Sequence, residues 1–218
     1  MLVKKKVVKR QKPKLSATHQ QMDFDALWDN EGYVENVRFD GGVMPGARGE
    51  RLAFDNVIFK DVSFADSDLQ AVEFVDVVFD RCDLSNVDFQ NVSFHRCELI
   101  NSKLTGADFA NARLGHTLFN DCDGRYSNFS FSVMKEVEFT ACSLVDSDLY
   151  ECTFKNVAFQ RCKLDNSNFS ETDLKGIDLS DSTYTHIEVT LPKIAGCIVS
   201  KEQAIGFARV LGLSVTEE

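Results

Sequence analysis

The stretch from Cys82 to Phe109, CDLSNVDFQNVSFHRCELINSKLTGADF, carries a large apolar residue at every fifth place: Leu84, Phe89, Phe94, Leu99, Leu104 and Phe109. Two places before each stands something small or β-branched: Cys82, Val87, Val92, Cys97, Ser102 and Ala107. Outward from this stretch the same phase runs from Phe54 to Val199, and only Gly124 departs from it. Phe24 and Phe39 share it too, so that of 18 phenylalanines only Phe131 and Phe207 fall outside.

An α-helix cannot use such a period. Five residues advance about 500°, which displaces successive apolar side chains by about 140° around the cylinder. A strand accounts for the pattern, because positions two apart share one side and both can point inward. The polar residues that follow then turn the chain. Repetition winds a coil whose backbone hydrogen bonds run to the coils above and below, an all-β solenoid. The period alone leaves open how many five-residue sides make one coil.

The triplets ADF (107–109), CDL (82–84), VDF (87–89), SDL (147–149), SNF (167–169) and TDL (172–174) resemble the A(D/N)LXX motif of the pentapeptide-repeat family. The resemblance covers roughly 37–199. It implies four sides, hence 20 residues per coil, in a right-handed quadrilateral β-helix. The organisation expected is a basic tail over 1–20, an N-terminal cap with a degenerate first coil over 21–51, the repeat over 52–199, and a capping helix and tail over 200–218. In the first coil, Val37/Phe39 and Gly42/Met44 keep the repeat phase, and Asp23–Trp28 is expected to cover its open end. Ser200 and Gln203 stand in capping-box spacing ahead of Ala204, Phe207, Ala208 and Leu211, and Gly212 ends the helix. By the resemblance, this C-terminal element also joins two rods into a homodimer.

Composition narrows the class. No window offers the roughly 18 uninterrupted apolar residues of a membrane span, and the N-terminus lacks the apolar core of a secretory signal. Seven cysteines, an odd number, argue against a disulfide framework and favour a reducing cytoplasm. The formal charge is −10 but unevenly spread: Lys4, Lys5, Lys6, Lys9, Arg10, Lys12 and Lys14 give the first 20 residues +7 with no acid, leaving −17 for the body. A body so acidic repels nucleic acid and attracts basic protein partners. Two readings of the tail stay open: a solvated, mobile terminus, or a basic arm that touches an anionic partner.

No catalytic, cofactor or metal constellation stands out. The cysteines occupy the small inward slot that valine, serine and alanine also use, and are expected there for their size. The histidines at 95, 116 and 186 fall on outward positions without a nucleophile or metal partner in view. The candidate interaction surface has two parts. One is the acidic early coils, with Asp61, Asp66, Asp76 and Asp80. The other is Gly124, Arg125, Tyr126 and Phe131, where a core residue is missing and two aromatics stand on outward positions. Two readings of the aromatics stay open: an exposed contact patch, or a locally distorted coil in which one ring folds in to fill the gap at Gly124.

The chain is similar to the quinolone-resistance members of the family, which bind type II topoisomerases as acidic rods of DNA-like width. That implies a non-enzymatic binding protein with DNA gyrase or topoisomerase IV as partner. Some gyrase-protecting members carry projecting loops, and no insertion interrupts 52–199 here. A generic protein-interaction scaffold, unrelated to topoisomerases, is the alternative.

Overall fold

The computed structural model describes residues 8–25, 32–44, 52–210 and 212–216. Parallel pairing at a constant offset of 20 organises all of the repeat. Ala53–Lys60 pairs with Glu73–Asp80, aligning Phe54 with Phe74 and Phe59 with Phe79. Val133–Thr140 pairs with Thr153–Gln160 at the same offset. Single bridges such as Ser63↔Asp83↔Lys103↔Asp123 and Asp68↔Asp88↔Asp108↔Asn128 carry the register around the other two sides. The coil therefore has four sides, here numbered one to four and centred in one turn on Phe54, Phe59, Phe64 and Leu69.

The inward rows fill the axis. Phe119, Phe139 and Phe159 stack in line with centroid spacings of 4.6 and 5.1 Å, and Phe89, Phe109 and Phe129 stack at 4.9 and 4.8 Å. Between neighbouring sides the rings meet edge to face, at 76° for Phe54–Phe59 and 84° for Phe59–Phe64. Both geometries suit the ring quadrupole, and each pair adds about 0.5–1.5 kcal/mol beyond burial.

The corners follow from backbone geometry. Among the described residues from Val34 to Phe169, the second residue after each central inward position has a positive φ, as at Asn36 (57°), Asp121 (53°) and Glu171 (59°). Asparagine, aspartate and glycine tolerate this left-handed region best, and they hold many of the corners. The Asp or Asn preceding the inward residue also caps the turn that follows. Asp88 Oδ1 accepts from Gln90 N at 3.0 Å, and Asp148 Oδ1 accepts from Tyr150 N at 2.9 Å. The acid of the motif is thus a turn residue before it is a charge.

The small inward slot also carries a polar function that size alone does not explain. Cys97 Sγ donates to Phe74 O at 3.3 Å, Cys142 Sγ to Phe119 O at 3.4 Å, and Cys152 Sγ to Phe129 O at 3.1 Å. Ser167 and Thr172 make the equivalent bonds to Leu144 O and Leu149 O at 2.7 and 2.6 Å. Burial pushes the Cys97 thiol up to about 12, so it stays a neutral donor.

Both ends are closed. Phe24 stacks on Phe39 at 4.5 Å over the first coil; residues 26–28 of the expected cap, Trp28 included, lie outside the described residues. At the other end, helix α1 (Lys201–Val210) begins with the reciprocal pair Gln203 N→Ser200 Oγ (3.2 Å) and Ser200 N→Gln203 Oε1 (2.8 Å). Gln203 Nε2 also donates to Leu179 O and Ser182 O at 3.0 and 2.8 Å, satisfying carbonyls of the open last coil. Of the face expected to cap, Phe207 and Ala208 are half-buried, whereas Ala204 is exposed, and Leu211 lies outside the described residues. Phe207 reaches Tyr184, so it covers the core while Ala204 remains at the rim. Among the described residues, no helix is long and apolar enough to cross a membrane.

Candidate interaction surfaces

Sorting outward residues by side separates charges that the linear sequence mixes. Side four, centred on Leu69, Phe89, Phe109, Phe129, Leu149, Phe169 and Val189, carries Asp68, Asp88, Asp108, Asp148, Glu151, Glu171 and Glu188 and neither lysine nor arginine. Its carboxylates are held by neutral groups: Gln70 Nε2 donates to Asp88 at 2.6 Å, Gln90 Nε2 to Asp108 at 2.7 Å, and Asn168 Nδ2 to Asp148 at 3.1 Å. Among the described residues none of the seven carries an ion pair, so the negative potential of this side is uncompensated.

The acids singled out from sequence lie elsewhere. Asp61 and Asp80 share Arg81, at 2.7 and 3.1 Å, on the corner between sides two and three. Asp66 is exposed at the corner bordering side four and accepts from Asn86 at 3.1 Å. Asp76 departs most from expectation: it is 6% exposed, because Arg96 grips both its oxygens at 2.6 Å and the Lys14 amide donates to it at 2.8 Å. Burial would raise its carboxyl, but Arg96 and the amide outweigh burial and hold it below the usual carboxylate range.

The coil at Gly124 is undistorted, and neither aromatic folds inward. Leu144 of the next coil fills the gap, with its Cδ2 standing 3.0 Å from where a β-carbon at 124 would lie. Tyr126 and Phe131 occupy corner positions at φ 60° and 62°, and are 61% and 49% exposed. They bracket one strip of side four, residues 127–131, and Phe131 meets Tyr150 edge to face at 5.5 Å. Arg125 does not face them as a free cation, since Asp123 holds it at 2.7 Å. The acidic side and the exposed aromatics therefore form one surface. Reading residues in steps of 20 would have revealed it.

At the C-terminal end an apolar groove of about 270 Å³ is lined by Ile194, Cys197, Val199, Ala204, Phe207, Ala208 and Leu213, with Leu213 60% exposed. The N-terminal segment was expected in solvent, but residues 10–21 lie along the rod. Arg10 pairs with Glu98 at 2.7 Å, and Gln20–Gln21 adds a strand beside Val37–Arg38. Docking here uses mostly main-chain amides, which leave no side-chain pattern to read.

A profile of the pentapeptide repeat region matches residues 72–142 and again 132–199. YisX, an uncharacterized protein of Bacillus subtilis (strain 168), is 34% identical over 202 residues, covering 93% of this chain and 95% of its own. Among solved structures, a trypsin-treated point variant of QnrB1, a plasmid-mediated fluoroquinolone resistance protein, aligns with a TM-score of 0.54 at 20% identity, over 93% of this chain and 98% of that one. HetL, a pentapeptide repeat protein involved in heterocyst differentiation regulation in the cyanobacterium Nostoc sp. strain PCC 7120, aligns at 0.25 and 12% identity, over 75% and 90%.

Proposed function

The chain belongs to the pentapeptide-repeat family, and from that premise we propose that it is a non-enzymatic, cytoplasmic protein-binding rod. The observation that carries this reading is side four: seven carboxylates, no cation and a bracketing aromatic pair along one flat flank. Such a surface attracts basic protein through its field and offers Tyr126 and Phe131 as desolvating anchors. The rod's negative charge opposes direct nucleic-acid binding.

The partner proposed is DNA gyrase or topoisomerase IV, with the rod occupying the basic surface that otherwise holds duplex DNA. QnrB1, with which the fold is shared, is described as a fluoroquinolone resistance protein, and that shared fold supports the assignment. Addition of the purified protein to a gyrase supercoiling reaction, with and without ciprofloxacin, tests it. Restored supercoiling under the drug, or inhibition without it, is expected; no effect in either condition rejects the gyrase assignment.

A generic scaffold is the second reading, and the pitch of the acids favours it. The acids of side four step about 4.8 Å per coil and are missing from the coil of residues 127–131, whereas the phosphates of one DNA strand advance without a gap, about 3.4 Å each along the helix axis. A homodimer through the C-terminus completes the proposal. The exposed Ala204 and Leu213 beside the half-buried Phe207 and Ala208 supply a self-complementary apolar surface for it.

A further inference from the structure

Residues 11–19 hydrogen-bond to the corner between sides one and two, where left-handed residues stack as Asn36, Asn56, Asp76, Arg96 and His116, while Arg10 reaches Glu98 on side two and Gln20–Gln21 pairs with Val37–Arg38. Gln11 N donates to His116 Nδ1 at 3.3 Å, Lys14 N to Asp76 Oδ1 at 2.8 Å, and Ser16 N to Asn56 Oδ1 at 3.0 Å. His19 Nε2 lies 3.0 Å from the same Asn56 oxygen, and Ser16 Oγ donates to Asn36 at 3.0 Å. The segment therefore runs along the rod axis, across the strands.

The spacing fits an extended chain. From Gln11 to Lys14 the segment descends two coils in three residues, and three extended residues span about 10 Å against about 9.6 Å for two coils. Pro13 falls between two of the donating amides, where its missing N–H costs nothing and its ring holds the chain extended. Arg10 inserts beside Glu98 with 8% of its side chain exposed, and that of Glu98 is 16% exposed, at 2.7 Å.

None of residues 8–19 joins the hydrophobic core. Polar main-chain contacts of this kind are individually weak, so the segment is held chiefly by its tether, which supplies a local concentration in the millimolar range. A segment that adds nothing to the core yet fits a periodic row of acceptors and a guanidinium slot has the properties of a bound peptide. We propose that this corner is a groove for an extended, arginine-containing basic peptide of a protein partner, and that residues 8–19 occupy it in cis as a tethered competitor.

The inference rests on the reading of the chain as a protein-binding rod, but it concerns the corner diagonally opposite the Tyr126 row. A partner engaging this groove displaces the segment and exposes the Asp76–Arg96 pair beneath it. The Glu136–Asn156 pair, joined at 2.7 Å, continues the same row past His116 and gives a longer peptide further acceptors.

The test uses the full chain. Hydrogen exchange of the Gln11, Lys14 and Ser16 amides is measured first, and protection is expected; exchange at free-chain rates overturns the proposal. A fluorescent peptide, VKRQKPKLSATH, is then titrated against wild type and the Arg10→Glu variant, whose own segment is loosened while the groove is intact. Binding to the variant is expected to be about tenfold tighter than to wild type, in line with losing one charged hydrogen bond. Adding Glu98→Gln should remove that gain, and a scrambled peptide of equal charge should bind more weakly. Equal binding of both peptides, or none to the Arg10→Glu variant, refutes the groove. These outcomes are independent of the supercoiling assay, so either reading can fail alone.

Discussion

Replacing Arg96 with alanine is expected to destabilise the rod far more than replacing Arg81, although each arginine bridges adjacent coils to aspartate. Arg96 Nε and Nη2 meet the two Asp76 oxygens at 2.6 Å, with only 15% and 8% of the two side chains exposed. Loss of one partner from a buried pair strands the other's charge, which costs about 3 kcal/mol at the low end of the range for such pairs. Arg81 and Asp61 are 46% and 52% exposed, and water replaces their partner readily. Equilibrium denaturation followed by circular dichroism measures both variants. Asp76→Asn in the Arg96→Ala background should recover part of the loss, giving a coupling of about 1–3 kcal/mol in the double-mutant cycle. The pH dependence has a fixed sign. The folded carboxyl of Asp76 lies below its unfolded value, so the pair's contribution is full above the unfolded value of about 3.9 and disappears as pH falls through the folded one. Arg96→Ala should flatten that acid limb. Equal costs for Arg96→Ala and Arg81→Ala would refute the account of this corner.

Three further outcomes follow from the same geometry. Phe109→Ala, which removes a ring stacked on both Phe89 and Phe129, should cost about 3–5 kcal/mol in the same denaturation assay. Tyr126→Asn and Phe131→Asn should leave stability unchanged or raise it by about 1 kcal/mol, since both aromatics sit in the left-handed region, and a large loss would mean the rings are structural. His95 is held below its usual value by burial, then by Arg96 and His116, against an opposing pull from Asp76, with Lys135 adding least. Its neutral form is therefore favoured by folding: the contribution is complete above about pH 6.5 and is lost as pH falls from there toward the folded value. His95→Gln should remove that limb of a melting-temperature profile between about pH 7 and pH 5.

The five-residue phase made the core legible residue by residue, because an inward position tolerates little besides Leu and Phe. The surface was harder to read for a physical reason. Asp61, Asp66, Asp76 and Asp80 are neighbours in the chain, but the coil distributes them over three corners, where Arg81 and Arg96 neutralise three of them. Asp68, Asp88, Asp108 and Asp148 are far apart in sequence and share one flank. Tyr126 and Phe131 were visible as misfits, yet their exposure follows from a left-handed corner that composition does not announce. The N-terminal segment was illegible because its docking is carried largely by amides, which every residue but proline possesses.

Charge reversal on side four tests the central claim most directly. Glu151→Lys, Glu171→Lys and Glu188→Lys together replace exposed carboxylates that make no turn contacts to the main chain, and the rod should fold as before. In the gyrase supercoiling reaction, wild type should alter the product distribution in a dose- and salt-dependent manner, and the triple variant should not. A folded variant as active as wild type would contradict the assignment of the binding surface to side four.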